Sequence, residues 1–393
     1  MTGSVPAHFD GDLLADPHGG YARLRQAGPV HRTTTPDGAP VWLVTRYPDV
    51  RAALADPRLS LDKRSARSGG EHGASMPPEL DAHLLNLDPP DHTRLRRLVA
   101  KAFTPRGIDR LRPLVQARTD ALLDRLTGPA DLMSALATPL TMAVICDLLG
   151  IAEAERRDFQ RWTDTLRSPA ADAATASRAA LGQMHRFLTG LIAEKRARPG
   201  DDLLTRMIAA RDQQDRLSEP ELVALTFLIL FAGYDNSANL IGSALLALLT
   251  HPEALRELRA GALRMDQLLD ETLRWNSPSM LASRRFTREE VEIGGVRIPA
   301  GERIWLSLVS ANRDERQFAD PAAFRPTRDG AHLGLGHGIH YCLGAALARL
   351  EAEVAIGAVV RRFPRLRLAR PASELGWDAS FRNRALRELP VTW

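Results

Sequence analysis

Cys342 carries the clearest chemical potential in this chain of 393 residues. It sits in His332-Leu-Gly-Leu-Gly-His-Gly-Ile-His-Tyr-Cys-Leu-Gly344, where Gly334, Gly336 and Gly338 alternate on the approach and Gly344 follows. Glycines this dense suit a backbone that bends tightly and comes close to something flat and bulky. The next residues, Ala345-Ala-Leu-Ala-Arg-Leu-Glu-Ala-Glu353, are small and helix-forming, which puts the cysteine at the entrance of a helix. Backbone N–H groups and the helix dipole there are expected to lower its pKa and hold a thiolate. A thiolate on a bent, side-chain-poor loop suits axial ligation of a haem iron. Cys146, in the apolar run Met142-Ala-Val-Ile-Cys-Asp-Leu-Leu149, reads instead as core.

Three further groupings could serve such a centre. Asp91-His92-Thr-Arg-Leu-Arg96-Arg97 places His92 and Arg96 four apart, hence on one helix face. Glu271-Thr-Leu-Arg274 sets a carboxylate and a guanidinium three apart, by default a solvated pair worth about 0.2–0.5 kcal/mol. Ala232-Gly-Tyr-Asp235-Asn236-Ser237 interrupts an otherwise uncharged run from Leu222 to Thr250.

Taken together, these elements resemble the cytochrome P450 family. Leu335, Gly338, Cys342 and Gly344 fall in the frame of its haem signature Phe-x-x-Gly-x-x-x-Cys-x-Gly, with Gly336 inside the loop and His340 as in the bacterial form. Glu271-x-x-Arg274 is similar to the family's buried Glu-x-x-Arg lock, and Ala232-Gly233-x-Asp235 to its oxygen-activating segment. The order of elements along nearly the whole chain matches as well. The resemblance implies a mainly α fold with a small β-rich portion and a long central helix over haem b, held non-covalently. It implies Cys342 as the iron ligand and His92, Arg96, Arg285 and His340 as partners of the haem propionates, with Arg284 as a rival to Arg285. Ala232 and Gly233 are expected to pass close over the porphyrin, and Asp235 and Asn236 to serve oxygen activation.

Three positions depart from the family's pattern. Leu335 stands where a phenylalanine packs beside the sulfur. Ala323, in Pro321-Ala-Ala-Phe324, stands where an arginine often joins the Glu-x-x-Arg lock, leaving Arg325 or Arg328 as substitutes. Asn236 replaces the alcohol whose hydroxyl holds a proton-delivering water. An amide can bind a water but cannot pass a proton through itself at neutral pH. Ser237 lies one residue on, about 100° round the helix, and is expected to point elsewhere.

The implied activity is hydroxylation or epoxidation of a small secondary metabolite with O₂ and two electrons from a ferredoxin and its reductase. Arg97, Lys101 and Arg349 are the candidate docking residues. Oxidative coupling or ring closure without oxygen insertion is the alternative, and a non-catalytic haem protein assisting a partner enzyme comes after it.

The elements that must position these residues follow from pattern. Ser218 with Glu221 and Pro220 starts a helix expected to run to Thr250, nearly 50 Å at 1.5 Å per residue, with Gly233 letting it open partway. Its composition would pass for a membrane span, but Asp235 sits mid-run beside Asn236 and Ser237, so burial among other helices is expected. Residues 60–85 read as a long lid loop, and the stretch near Ser168-Pro169 as a break between helices. Substrate contacts are expected from these two, from Leu228 to Asn236, Ser279 to Ser283 and Ser380 to Arg382. Val291 to Leu308 alternates as a hairpin about Gly294-Gly295. No linker or repeat divides residues 1–393, which read as one domain. The net charge of +4 gives no reason to expect nucleic acid. Two cysteines in unlike settings, and no signal sequence or anchor, point to a cytoplasmic monomer.

Overall fold

The apolar run after Ser218 is helical, and it is opened once. In a computed structural model describing residues 7–8, 11–35, 38–67, 77–101, 103–167, 173–214 and 217–393, it forms two helices, Glu219–Gly233 and Asp235–Thr250. The long helix is thus a pair joined at Tyr234, with the opening at Gly233 where the glycine was expected to allow it. The first begins with the anticipated capping box, Ser218 N–H donating to Glu221 Oε2 at 2.7 Å and Glu221 N–H to Ser218 Oγ at 3.4 Å. The opening adjoins a close approach between helices. A Cβ on Gly233 would lie 2.6 Å from Ile145 Cδ1, so the backbone presses on the neighbouring helix Thr138–Leu149. The Ser237 hydroxyl takes up the Gly233 carbonyl at 3.5 Å, and the ladder resumes with Ala238 N–H on Tyr234 O.

Every residue from Ser237 to Leu248 is buried. They pack against Thr138–Leu149, Met265–Trp275 and the helix Ala345–Arg362 that follows the cysteine loop. Encasement by helices explains a run without charge. Among the described residues no single helix is long and apolar enough to cross a membrane.

The β-rich portion is a six-stranded sheet in the order Ala7–His8, Val30–Thr34, Pro40–Val44, Arg303–Leu306, Arg285–Thr287, Leu59–Ser60. Val291–Ile293 and Val296–Ile298 make the expected hairpin, with Gly294 and Gly295 at positive φ. The rest of that stretch departs from the expectation. Arg303–Leu306 leaves the hairpin to pair in parallel with Pro40–Val44, with Trp42 opposite Ile304, and antiparallel with Arg285 opposite Ile304. Buried at all four positions, this central strand has neighbours on both sides. The reading near Ser168-Pro169 and the middle of the lid loop, residues 68–76, lie outside the described residues.

Glu271 and Arg274 are buried, their side chains 3% and 2% exposed. Arg274 Nε and Nη2 donate to the two Glu271 oxygens at 2.6 and 2.8 Å. The remaining guanidinium donors reach the carbonyls of Asn312, Pro321 and Ala323. Arg328 supplies the second cation that Ala323 cannot, Nε lying 3.5 Å from Glu271 Oε1 with its side chain 10% exposed. Arg325 gives Glu271 only its backbone N–H and pairs at the surface with Asp320.

Removing one partner of a buried ion pair strands the other charge, at a cost of about 3–5 kcal/mol. We therefore expect Arg274→Ala to lower stability by that amount in denaturant titration. Arg325→Ala should cost less than about 1 kcal/mol, as for other exposed pairs. Equal losses in the two variants would refute the lock.

Candidate haem and substrate site

The cysteine loop is shaped by glycines at defined points. Gly336 and Gly338 adopt φ of +77° and +72°, which L side chains rarely take. A Cβ on Gly334 would lie 2.6 Å from Leu273 O, so this residue must approach the preceding helix without a side chain. Cys342 N–H donates to Leu335 O at 2.9 Å, closing the loop on itself. The Leu335 side chain packs on the main core and also lines the cavity beside Cys342. The helix starts at Ala345 with Gly344 as its cap.

The expected lowering of the Cys342 pKa is not what this setting produces. Cys342 is open to the cavity, yet the protein packed round its sulfur pushes the thiol up, and the Gly344 N–H and the Arg96 guanidinium oppose this only in part. The reason is that the helix begins beyond the cysteine, so one N–H, not a full first turn, reaches the sulfur. A bound metal cation would supply the missing positive charge, since a coordinating thiol loses its proton outright.

Cys342 opens on a cavity that Ala232, Gly233, Asn236, Ser237, Arg96, Arg285, Leu335, Gly336, His340 and Gly344 also line. Nine of these are the expected residues and Ser237 is an addition. The remaining wall is aliphatic, with Leu225, Leu228, Ile229, Leu281 and Ala282 on it. Two guanidiniums line the cavity and, among the described residues, no carboxylate does.

Arg285, rather than Arg284, faces the cavity; it is 2% exposed, and burial lowers its pKa to about 10. Its Nη1 donates to Ser283 O at 3.1 Å. His92 lies one layer back, its ring 4.2 Å from that of His340. Burial lowers both histidine pKa values, that of His340 to about 3, so both are neutral at pH 7. Both nitrogens of His92 and Nε2 of His340 are buried with no hydrogen-bond partner among the described residues. Such orphans are rare unless something absent satisfies them. Two cations, two orphaned imidazoles, a loop thinned to glycine and a single thiol fit a flat dianion with an iron centre. A Cβ on Gly344 would meet no protein atom within 4 Å, which leaves that face of the loop clear.

Asp235 is the first residue of its helix and half-buried, beside the cavity-lining Asn236 but not on the wall itself. Asn236 Oδ1 is buried without a partner. Ser237 does not point away, as its angular offset suggested; it lines the cavity together with Asn236, and its hydroxyl reaches the Gly233 carbonyl at 3.5 Å. Ser279, Leu281, Ala282 and Ser283 line the cavity, as do Leu61, Leu84 and Leu85 at the two ends of the lid loop. Ser380 to Arg382 do not line it, because Phe381 stacks on Trp305 with ring centroids 4.9 Å apart. Cys146 is fully buried and its pKa is pushed up to about 12, consistent with an inert core thiol.

Comparison with known proteins agrees with this geometry. The family model described as Cytochrome P450 matches residues 158–369. Cytochrome P450 107B1 of Saccharopolyspora erythraea is 46% identical, over 99% of this chain and 98% of its own. The solved tirandamycin C-bound P450 monooxygenase TamI superposes with a TM-score of 0.91 at 42% identity, covering 98% of both chains. CxnD, a cytochrome P450 enzyme for C–S bond formation in chuangxinmycin biosynthesis, superposes with 0.87 at 35% identity, covering 98% and 97%.

A charge-assisted hydrogen bond contributes about 1.5–3 kcal/mol. Arg285→Ala and His92→Ala should therefore each weaken haem retention roughly tenfold or more, read by haem transfer to a scavenger protein. Retention unchanged in both would exclude them as propionate partners.

Proposed function

The chain belongs to the cytochrome P450 family of oxygen-activating oxidoreductases, and from that premise we propose that it hydroxylates or epoxidises a neutral, largely aliphatic secondary metabolite. The observation that carries this is a cavity lined by Cys342, by Asn236 and Ser237 at a helix opening, and by an aliphatic wall on which, among the described residues, no carboxylate lies. Bound to the thiolate, haem b would supply dioxygen binding and two-electron redox chemistry. Cys342 would ligate the iron, while His92, Arg96, Arg285 and His340 would hold the propionates.

The protein's own contribution is positioning, exclusion of water and proton supply. Leu225, Leu228, Ile229, Leu281 and Ala282 would hold the substrate by apolar contact and displace water. Ser279 and Ser283 offer hydroxyls for orientation. Asn236 would hold a water or a substrate hydroxyl by its amide, and Asp235 would feed that water from the head of the helix. Electrons would come from a ferredoxin and its reductase, docking where Arg97 and Lys101 are exposed and Arg349 pairs with Asp270 at 2.6 Å. We place the enzyme in the cytoplasm as a monomer.

Oxidative coupling without oxygen insertion is the second reading. Asn236 favours it by replacing the proton-relaying alcohol, and CxnD shows that bond formation occurs on a closely similar scaffold.

Turnover under ¹⁸O₂ with a supplied ferredoxin should place one labelled atom in the product; unlabelled product from a complete turnover would favour coupling instead. Cys342→His should abolish the ferrous carbonyl band typical of thiolate ligation while Cys146→Ala keeps it. The reverse pattern would move the ligand. Asp235→Asn should slow product formation strongly with substrate affinity nearly intact, as measured by spectral titration.

A further inference from the structure

Asp88 lies where the elements around the cationic rim of the cavity meet. Its side chain is 12% exposed and does not line the cavity itself. Its carboxylate accepts from the Ser60 hydroxyl, from Leu61 N–H at 3.1 Å and from Arg288 Nη2 at 2.8 Å. Its backbone carbonyl accepts from His92 N–H at 3.0 Å, at the start of the helix Asp91–Ala100 that carries His92 and Arg96. Ser60 stands opposite Phe286 in the sheet, and Arg288 directly follows the strand Arg285–Thr287. Two of these bonds therefore hold the strand that presents Arg285. Leu61 lines the cavity, as do Leu84 and Leu85, four and three residues before Asp88. One carboxylate thus joins the strand of Arg285, the helix of His92 and Arg96, and the apolar wall at the ends of the lid loop.

The group is charged at pH 7. Burial alone would raise its pKa, but the bonds from Ser60, Leu61 and Arg288 hold it below the usual carboxylate range. Burial lowers the pKa values of Arg285, His92 and His340, and in each case the Asp88 charge opposes that shift. An ionised carboxylate therefore stands behind the very donors that fit the propionates. A fixed negative charge near a haem disfavours the ferrous state, because reduction brings in an electron.

We propose that Asp88 is a positioning residue that sets the separation between Arg285 and the His92–Arg96 pair and ties it to the apolar wall at Leu61. Its charge, acting through these groups, also biases the iron toward the ferric state. The inference rests on the haem reading of the cavity and not on whether oxygen is inserted. Groups that orient the direct partners of a cofactor govern both its retention and its electronics. Here one side chain does so for two elements at once. A change at Asp88 should therefore disturb haem retention and apolar binding together, although it lies on neither surface.

The test uses the haem-loaded full chain, with 1-decylimidazole as an aliphatic probe of the cavity. Asp88→Asn keeps the size but loses the charge and one acceptor. It should speed haem transfer to a scavenger protein severalfold and weaken probe binding severalfold in spectral titration. Measured without the probe, its midpoint potential should move to a more positive value. Asp88→Glu keeps the charge on a longer arm, so retention and probe affinity should fall while the potential stays near the parent's. A merely structural role would lower retention and affinity in both variants and leave both potentials alone. A parental potential in Asp88→Asn therefore overturns the charge effect, and parental retention and affinity overturn the positioning. If Asp88→Asn does not hold haem, Ser60→Ala carries the decision, because it removes one tie and leaves the carboxylate. Severalfold losses of retention and affinity there support the proposal, and parental values overturn it. A failure of the haem reading would appear separately, as a parent protein that takes up no haem.

Discussion

A buried guanidinium and carboxylate can remain charged only if all their polar atoms are engaged, and the Glu271–Arg274 pair meets that condition. Arg274 makes five hydrogen bonds: two to Glu271 and one each to the carbonyls of Asn312, Pro321 and Ala323. Glu271 in turn accepts from Arg325 N–H and Arg328. From this pair the order propagates. Asn312 donates to Leu273 O and accepts from Leu333 N–H at 2.7 Å, which fixes where the cysteine loop begins. Gly334 then closes on Leu273 O, and the loop ends with Cys342 N–H on Leu335 O. The position of the thiol is thus set by charges that never touch it.

The cavity divides its chemistry by side. One rim carries Arg96, Arg285 and His340, with His92 behind, where an anion is needed to satisfy buried donors. The remainder is aliphatic, so a substrate gains from apolar burial in rough proportion to its contact area. Polar selectivity rests on few groups, among them Ser279, Ser283 and Asn236. A site of this kind distinguishes shape more readily than charge.

Spacing made the site largely readable, while the phase of the helices and the depth of burial did not show. Cys342, His340, Arg96 and the glycines could be named because a bent loop and an i, i+4 pair leave traces in residue order. The break at Tyr234 left only a glycine as its trace, since Ile145, against which Gly233 packs, is distant in the chain. Ser237 reaches the cavity wall together with Asn236, although successive residues of a helix stand about 100° apart. Whether Arg325 or Arg328 would replace the arginine missing at Ala323 depended on which one reaches Glu271, a question of backbone path. The raised Cys342 pKa could not be foreseen, because it depends on how far the helix start lies from the sulfur.

The placement of Arg328 bears on how this chain could be recombined with its relatives. Here the cation that supports Glu271 comes from beyond Ala323, not from the position Ala323 occupies, where the family often has an arginine. Joined between 323 and 328 to a parent with an arginine at 323 and none at 328, a chimera would inherit both arginines or neither, depending on which parent came first. Two guanidiniums would compete for one carboxylate oxygen in a volume built for one; none would leave Glu271 with Arg274 alone. Crossover points for shuffled libraries therefore belong outside this segment, so that the meander passes between parents as an indivisible block.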